Sequence, residues 1–129
     1  GGELSRIALA IKTVMSSSGD VPTMVFDEID TGVGGVTAQM MAEKIASISK
    51  IEQVLCITHL PQIAAFADRH IFIEKQSSEG RTATMLSVLD EEQRIRELMR
   101  MTAGTSESSA AYENAKELLT AAEAVKDKR

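Results

Sequence analysis

Two short apolar runs constrain this chain more than any other feature. Thr23-Met-Val-Phe26 leads straight into Asp27, Glu28 and Asp30, and Val54-Leu-Cys-Ile-Thr58 leads into His59. Such runs, bounded by turn residues and separated by a helical stretch, are the pattern of strands buried on both faces of a parallel sheet. In an open α/β sheet, ligands bind beyond the carboxyl ends of the strands. The acids and the histidine fall where a site is expected.

The rest of the chain supports an α/β reading. Leu4, Ile7, Ala8, Ile11 and Met15 share one face of a helix predicted from Glu3 to about Met15, ended by Ser16 to Asp20 and Pro22. Val36 to about Ser49 reads as a second helix with Met40, Met41, Ile45 and Ile48 available for burial. Pro61 suits the first turn of a short helix through Ala67. Arg69 to Lys75 and Thr82 to Leu89 read as strands around a turn at Ser77 to Gly80, the second of them antiparallel at an edge. Asp90 caps a helix to about Met101 with Ile95, Leu98 and Met99 inward, and the last helix runs from about Ser108 to Lys126. With 129 residues and only four Phe and Tyr residues (three and one, no Trp), Ala, Ile, Leu and Met must fill a single core.

A net charge of −5 argues against the whole surface being a nucleic-acid footprint. The basic end Lys126 to Arg129 reads as a solvated helix end. One cysteine, Cys56, excludes an intrachain disulfide and fits an inert thiol within an apolar run. No apolar run approaches membrane-spanning length, and a signal peptide is not expected from these residues.

Three groups of residues carry chemistry. Asp27 and Glu28 pair two acids at a strand end, where one can hold a hard cation and the other can orient or deprotonate a water. Their bland alternative, a helix cap or solvated turn, fits Asp30-Thr31-Gly32 better than it fits Asp27-Glu28. His59 can hydrogen-bond a phosphate oxygen or a water, although a lone histidine is more often structural. Gly1-Gly2 leads into a helix whose free N–H groups suit phosphate, or is a plain loop or tag remnant.

Taken in order, these pieces resemble an ABC-type ATPase head of the SMC-like branch. GGELSR resembles the signature motif without its leading Ser, MVFDEID the Walker B strand with its catalytic Glu, and ITHLPQ the switch-histidine loop. GGELSRI, FDEIDTGVGG, THLPQIAAFADRH and AYENAKELL together resemble the C-terminal end of the RecN family of bacterial double-strand-break repair proteins, across essentially the whole chain. The resemblance implies a P-loop NTPase-like fold of the ABC type: the C-terminal half, with mainly parallel buried strands flanked by helices, an edge hairpin and two C-terminal helices. It implies ATP and Mg²⁺ as ligands of the full protein. Asp27 would hold the metal through water, Glu28 would polarise the attacking water and His59 would contact the γ-phosphate. Asp30 would begin the D-loop at a dimer seam, and Gly1 and Gly2 would meet ATP held by the opposite protomer. The implied partners are an N-terminal Walker A lobe of the same protein, a second head and DNA handled by the full assembly, with no membrane, in a bacterial cytoplasm at the nucleoid.

The sequence contains no G-x-x-x-x-G-K-[ST] motif and no sustained heptad run. The expectation is a C-terminal lobe cut within its signature motif, which alone neither grips ATP tightly nor hydrolyses it. Two readings compete: a non-catalytic interaction module whose acids are structural, and the head of another SMC-like or ABC protein.

Overall fold

The computed structural model describes residues 2–15, 23–78, 80–104 and 108–128. The elements are α1 (Gly2–Met15), β1 (Thr23–Phe26), α2 (Gly35–Ile48), β2 (Gln53–Cys56), α3 (Pro61–Ala65), β3 (Ile71–Ser78), β4 (Arg81–Val88), α4 (Glu91–Ala103) and α5 (Ser109–Asp127). β1 and β2 pair in parallel, from Thr23 opposite Gln53 to Phe26 opposite Cys56. The connection between them is α2, the crossover that a parallel pair requires. β3 and β4 form a separate antiparallel hairpin, from Ile71 opposite Val88 to Ser78 opposite Arg81.

The core lies among α2, α3, α4, α5 and the inner face of β1–β2. Met41, Ala42, Ile45 and Ile48 of α2 fall at helical spacing on its buried side. Ile63, Ala64, Ala65 and Phe66 of α3 and its end join them, with Ile95, Leu98 and Met99 of α4 and Ala115, Leu119 and Ala122 of α5. α3 starts with Pro61 in its first turn, where the missing N–H costs nothing. α4 opens with a full capping box, Asp90 accepting from Gln93 N and Gln93 Oε1 accepting from Asp90 N. Its end turns at Gly104, with φ +64°, a left-handed conformation glycine adopts without a Cβ clash. α5 is capped by Ser108, whose hydroxyl accepts from Ala111 N.

The sequence-based expectation of strands buried on both faces holds for one face. Met24 and Phe26 are buried and Val54 and Cys56 half-buried, but Val25 and Leu55 on the other side are exposed. The same correction applies to α1. Its expected apolar face, Leu4, Ile7, Ile11 and Met15, is exposed, with Ala8 half-buried. The α1 residue in the core cluster is Leu9, which at 100° per residue points away from that stripe. Met40 is likewise exposed, whereas the other three expected α2 residues are buried. In the hairpin, Ile71, Ile73, Leu86 and Val88 share one face by register and all are exposed. The physical reason is common to these places: no other described element covers them. Lys12 of α1 reaches the sheet: its ammonium donates to Val25 O at 3.1 Å and lies 4.8 Å from the Phe26 ring centroid.

Candidate functional site

The parallel register fixes where the site forms. Because Phe26 stands opposite Cys56 and both strands run the same way, the chain leaves β1 at Asp27 and β2 at Ile57 from one end of the sheet. A further ladder bond, Ile57 N to Phe26 O at 2.9 Å, holds the two exits side by side. Burial, then the nearby carboxylates of Asp30 and Asp27, pushes the Cys56 thiol up to about 12. It is protonated at neutral pH and inert, as its place in an apolar run suggested.

Asp27 is exposed and makes no hydrogen bond or ion pair among the described residues. Glu28 follows with φ +57°, a left-handed conformation that costs a non-glycine residue on the order of 1 kcal/mol. The left-handed step ends the strict alternation of the strand, so the two adjacent acids no longer point to opposite faces by rule. Thr31 N donates to Glu28 O and Val33 N to Asp30 O, closing a compact turn ahead of α2.

Asp30 is neither a helix cap nor a solvated turn residue. It is 2% exposed. Its Oδ2 accepts from Thr58 Oγ1 at 2.5 Å and from His59 N at 2.9 Å, and lies 3.1 Å from His59 Nδ1. Thr58 Oγ1 in turn accepts from Leu60 N. Burial alone would raise the Asp30 carboxyl, but the Thr58 and His59 hydrogen bonds and the His59 charge outweigh it, so the group sits below the usual carboxylate range. Asp30 therefore stitches the loop after β1 to the loop after β2. The His59 side chain is 70% exposed, so its ring projects from this tie into solvent.

The structure thus brings Asp27, Glu28, Asp30 and His59 to one sheet end. Of the two glycines, Gly1 lies outside the described residues, and Gly2 opens α1, about 15 Å along the helix from Lys12. Among the described residues, no group of three or more His, Cys, Asp or Glu side chains is arranged to hold a metal ion. A Mg²⁺ site does not need one, because Mg²⁺ keeps several waters and takes one or two carboxylates plus phosphate oxygens. The exposed carboxylate of Asp27, without a partner among the described residues, fits that requirement. A cleft of about 460 Å³ between the base of the hairpin and α4 lies elsewhere, lined by Phe72, Leu89, Met99 and paired arginines.

No family model matches the chain. The DNA repair protein RecN of Bacillus subtilis (strain 168) is 51% identical over 126 residues, 98% of this chain and 22% of that protein. RecN of Treponema pallidum (strain Nichols) is 49% identical over 121 residues, and RecN of Vibrio cholerae 43% identical over 122. The chain is RecN-like. It spans about a fifth of the length of these RecN relatives, which are 21–22% covered. The fold is similar to part of an SMC ATPase head: a solved chain from work on ATP-driven dimerization and DNA-stimulated activation of SMC ATPases superposes with a TM-score of 0.59 and 26% identity. That match covers 78% of the RecN-like chain and 60% of the solved one.

The sequence did not reveal the tie through Asp30. Thr58 and His59 were legible as a polar strand end, and Asp30 as part of the acidic cluster, but only the parallel register puts them in contact. The left-handed Glu28 carried no sequence signal, since glutamate is not a residue that favours φ above zero. Among the described residues, no helix is long and apolar enough to cross a membrane.

Proposed function

We propose that the chain supplies the water-activating, metal-holding and γ-phosphate-sensing side of an ATP-hydrolysing head in a RecN-like protein of DNA double-strand-break repair and recombination. In this reading, Asp27 is the residue that would hold Mg²⁺, and the chemistry the ion would supply when bound is charge neutralisation at the phosphates. Glu28 polarises the attacking water and takes up its proton, and His59 hydrogen-bonds the γ-phosphate. Phosphoryl transfer depends mostly on positioning and charge stabilisation, so groups held by a rigid sheet end suit it. Asp30 belongs to the D-loop that meets a second head, while its own carboxylate is engaged within the chain. Gly1 and Gly2 form part of the signature that reaches ATP on the opposite head.

The observation that carries this reading is the convergence of two motif loops at one sheet end, locked by Asp30 to Thr58 and His59. The sequence has no Gly-Lys phosphate cradle, so the main nucleotide grip comes from a Walker A lobe of the same protein. The exposed stripe of α1 and the outer face of β1–β2 are the surfaces for that lobe. ATP closes two heads and hydrolysis releases them, with DNA handled by the whole assembly in the bacterial cytoplasm, at the nucleoid. The chain folds as one domain of that assembly.

The test is Glu28→Gln in the longer protein. Retained ATP binding with turnover reduced by about 10² or more, the usual weight of a positioned general base, supports the proposal. Unchanged turnover would favour a non-catalytic module.

A further inference from the structure

The contact between Asp30 and His59 has a consequence for the histidine's chemistry. Neutral imidazole carries its proton on one nitrogen and a lone pair on the other, and its neighbours decide which. Here Nδ1 lies 3.1 Å from Oδ2 of a buried carboxylate. That oxygen is an ionised acceptor already fixed in place by the Thr58 hydroxyl and the His59 N–H. An Nδ1 lone pair facing it would set two acceptors against each other at hydrogen-bonding distance; an N–H there relieves the repulsion. The surroundings leave Oδ2 little freedom to turn away, because the Thr58 hydroxyl is itself oriented by the Leu60 N–H that it accepts.

We infer that Asp30 is a positioning residue that keeps the proton of neutral His59 on Nδ1, so that Nε2 is the nitrogen presented outward with its lone pair free. The ring then offers solvent an acceptor at Nε2 when neutral and a donor at Nε2 when protonated, with Nδ1–H occupied by Asp30 in both states. An incoming proton goes to Nε2 alone. If a phosphate oxygen is the partner, Nε2 must carry a proton to donate to it; that last step rests on the proposed function above, whereas the tautomer does not. The arrangement also gives Asp30 a role distinct from the loop it stands in: it acts on the outward group through the ring and touches no ligand itself.

The experiment reads the tautomer directly and needs no nucleotide. The chain is labelled with ¹⁵N at histidine, and long-range ¹H–¹⁵N correlations from the ring carbons are recorded at a pH where the imidazoles are neutral. The two histidines, His59 and His70, are told apart with His59→Gln. The wild-type chain is expected to show His59 Nδ1 at the protonated shift and Nε2 at the unprotonated one. Asp30→Ala is expected to lose this preference and move toward the Nε2–H form that free imidazole side chains favour. A wild-type spectrum showing the Nε2–H form overturns the inference whether or not the variant folds, and so does an Asp30→Ala chain that keeps the Nδ1–H form. Neither result depends on ATP, so the inference can fail while the ATPase reading stands.

Discussion

The helices α4 and α5 and the helix α1 present the same kind of sequence and opposite fates. All three carry apolar residues at helical spacing. In α4 and α5 the stripe is closed off, with Leu98 fully buried and Leu119 and Ala122 nearly so. In α1 the stripe Leu4, Ile7, Ile11 faces solvent, and a residue on the opposite side, Leu9, makes the core contact. The outer face of β1–β2 sides with α1, presenting Val25 and Leu55. Amphipathic patterning thus reports that a face requires a cover; it does not say whether the cover is supplied by the same stretch of chain.

That contrast can be broken by substitution, and the largest effect is expected in the closed half. Leu98→Ala should lower unfolding free energy by about 3 kcal/mol in chemical denaturation, and a loss under about 1 kcal/mol would mean the α4 stripe is not the packed face. At the seam, Asp30→Ala removes the acceptor that joins two loops and should cost about 2 kcal/mol. The sign with pH follows from the lowered carboxyl. The stabilisation is present above the unfolded carboxyl's ordinary pKa of about 4 and is lost as pH falls through the lower folded value. Acid titration of the wild type should therefore show a stability loss below about pH 4 that the alanine variant lacks, and equal acid profiles would remove Asp30 from the account.

Smaller effects probe the edges of the comparison. Asp90→Ala opens the capping box of α4 and should cost about 1 kcal/mol by the same denaturation measurement. Ile7→Ser with Ile11→Ser should change stability by less than about 0.5 kcal/mol each, since both side chains are exposed. The same pair should reduce self-association, because the open faces are the surfaces available to a second copy. Light scattering across a concentration series should show the wild-type mass rising and the double variant's rising less; a wild-type monomer at every concentration contradicts the idea that these faces need cover.

Much of this was written locally. The period of the helices, the turn at Gly104 and the caps at Asp90 and Ser108 depend on neighbours three or four residues away, and sequence carries such information. β1 was placed at Thr23–Phe26 from its apolar run alone. What failed was burial on the second face of the strands and on α1, which depends on elements that these residues do not name. The site divides in the same way. The acids and the histidine stood out as polar ends of apolar strands, yet Asp30 looked like a turn residue because the partner that buries it, the Thr58-His59 pair, is 28 residues away across a parallel register.

On the proposed function, this chain supplies the water and metal side of an ATPase site and not the nucleotide grip. Phosphate release from ATP by the purified 129-residue chain, with Mg²⁺ present, tests that division most directly. The expected result is release indistinguishable from the buffer blank, with no loss on Glu28→Gln. Sustained Mg²⁺-dependent release that Glu28→Gln abolishes would contradict the division and place a complete site on these residues alone.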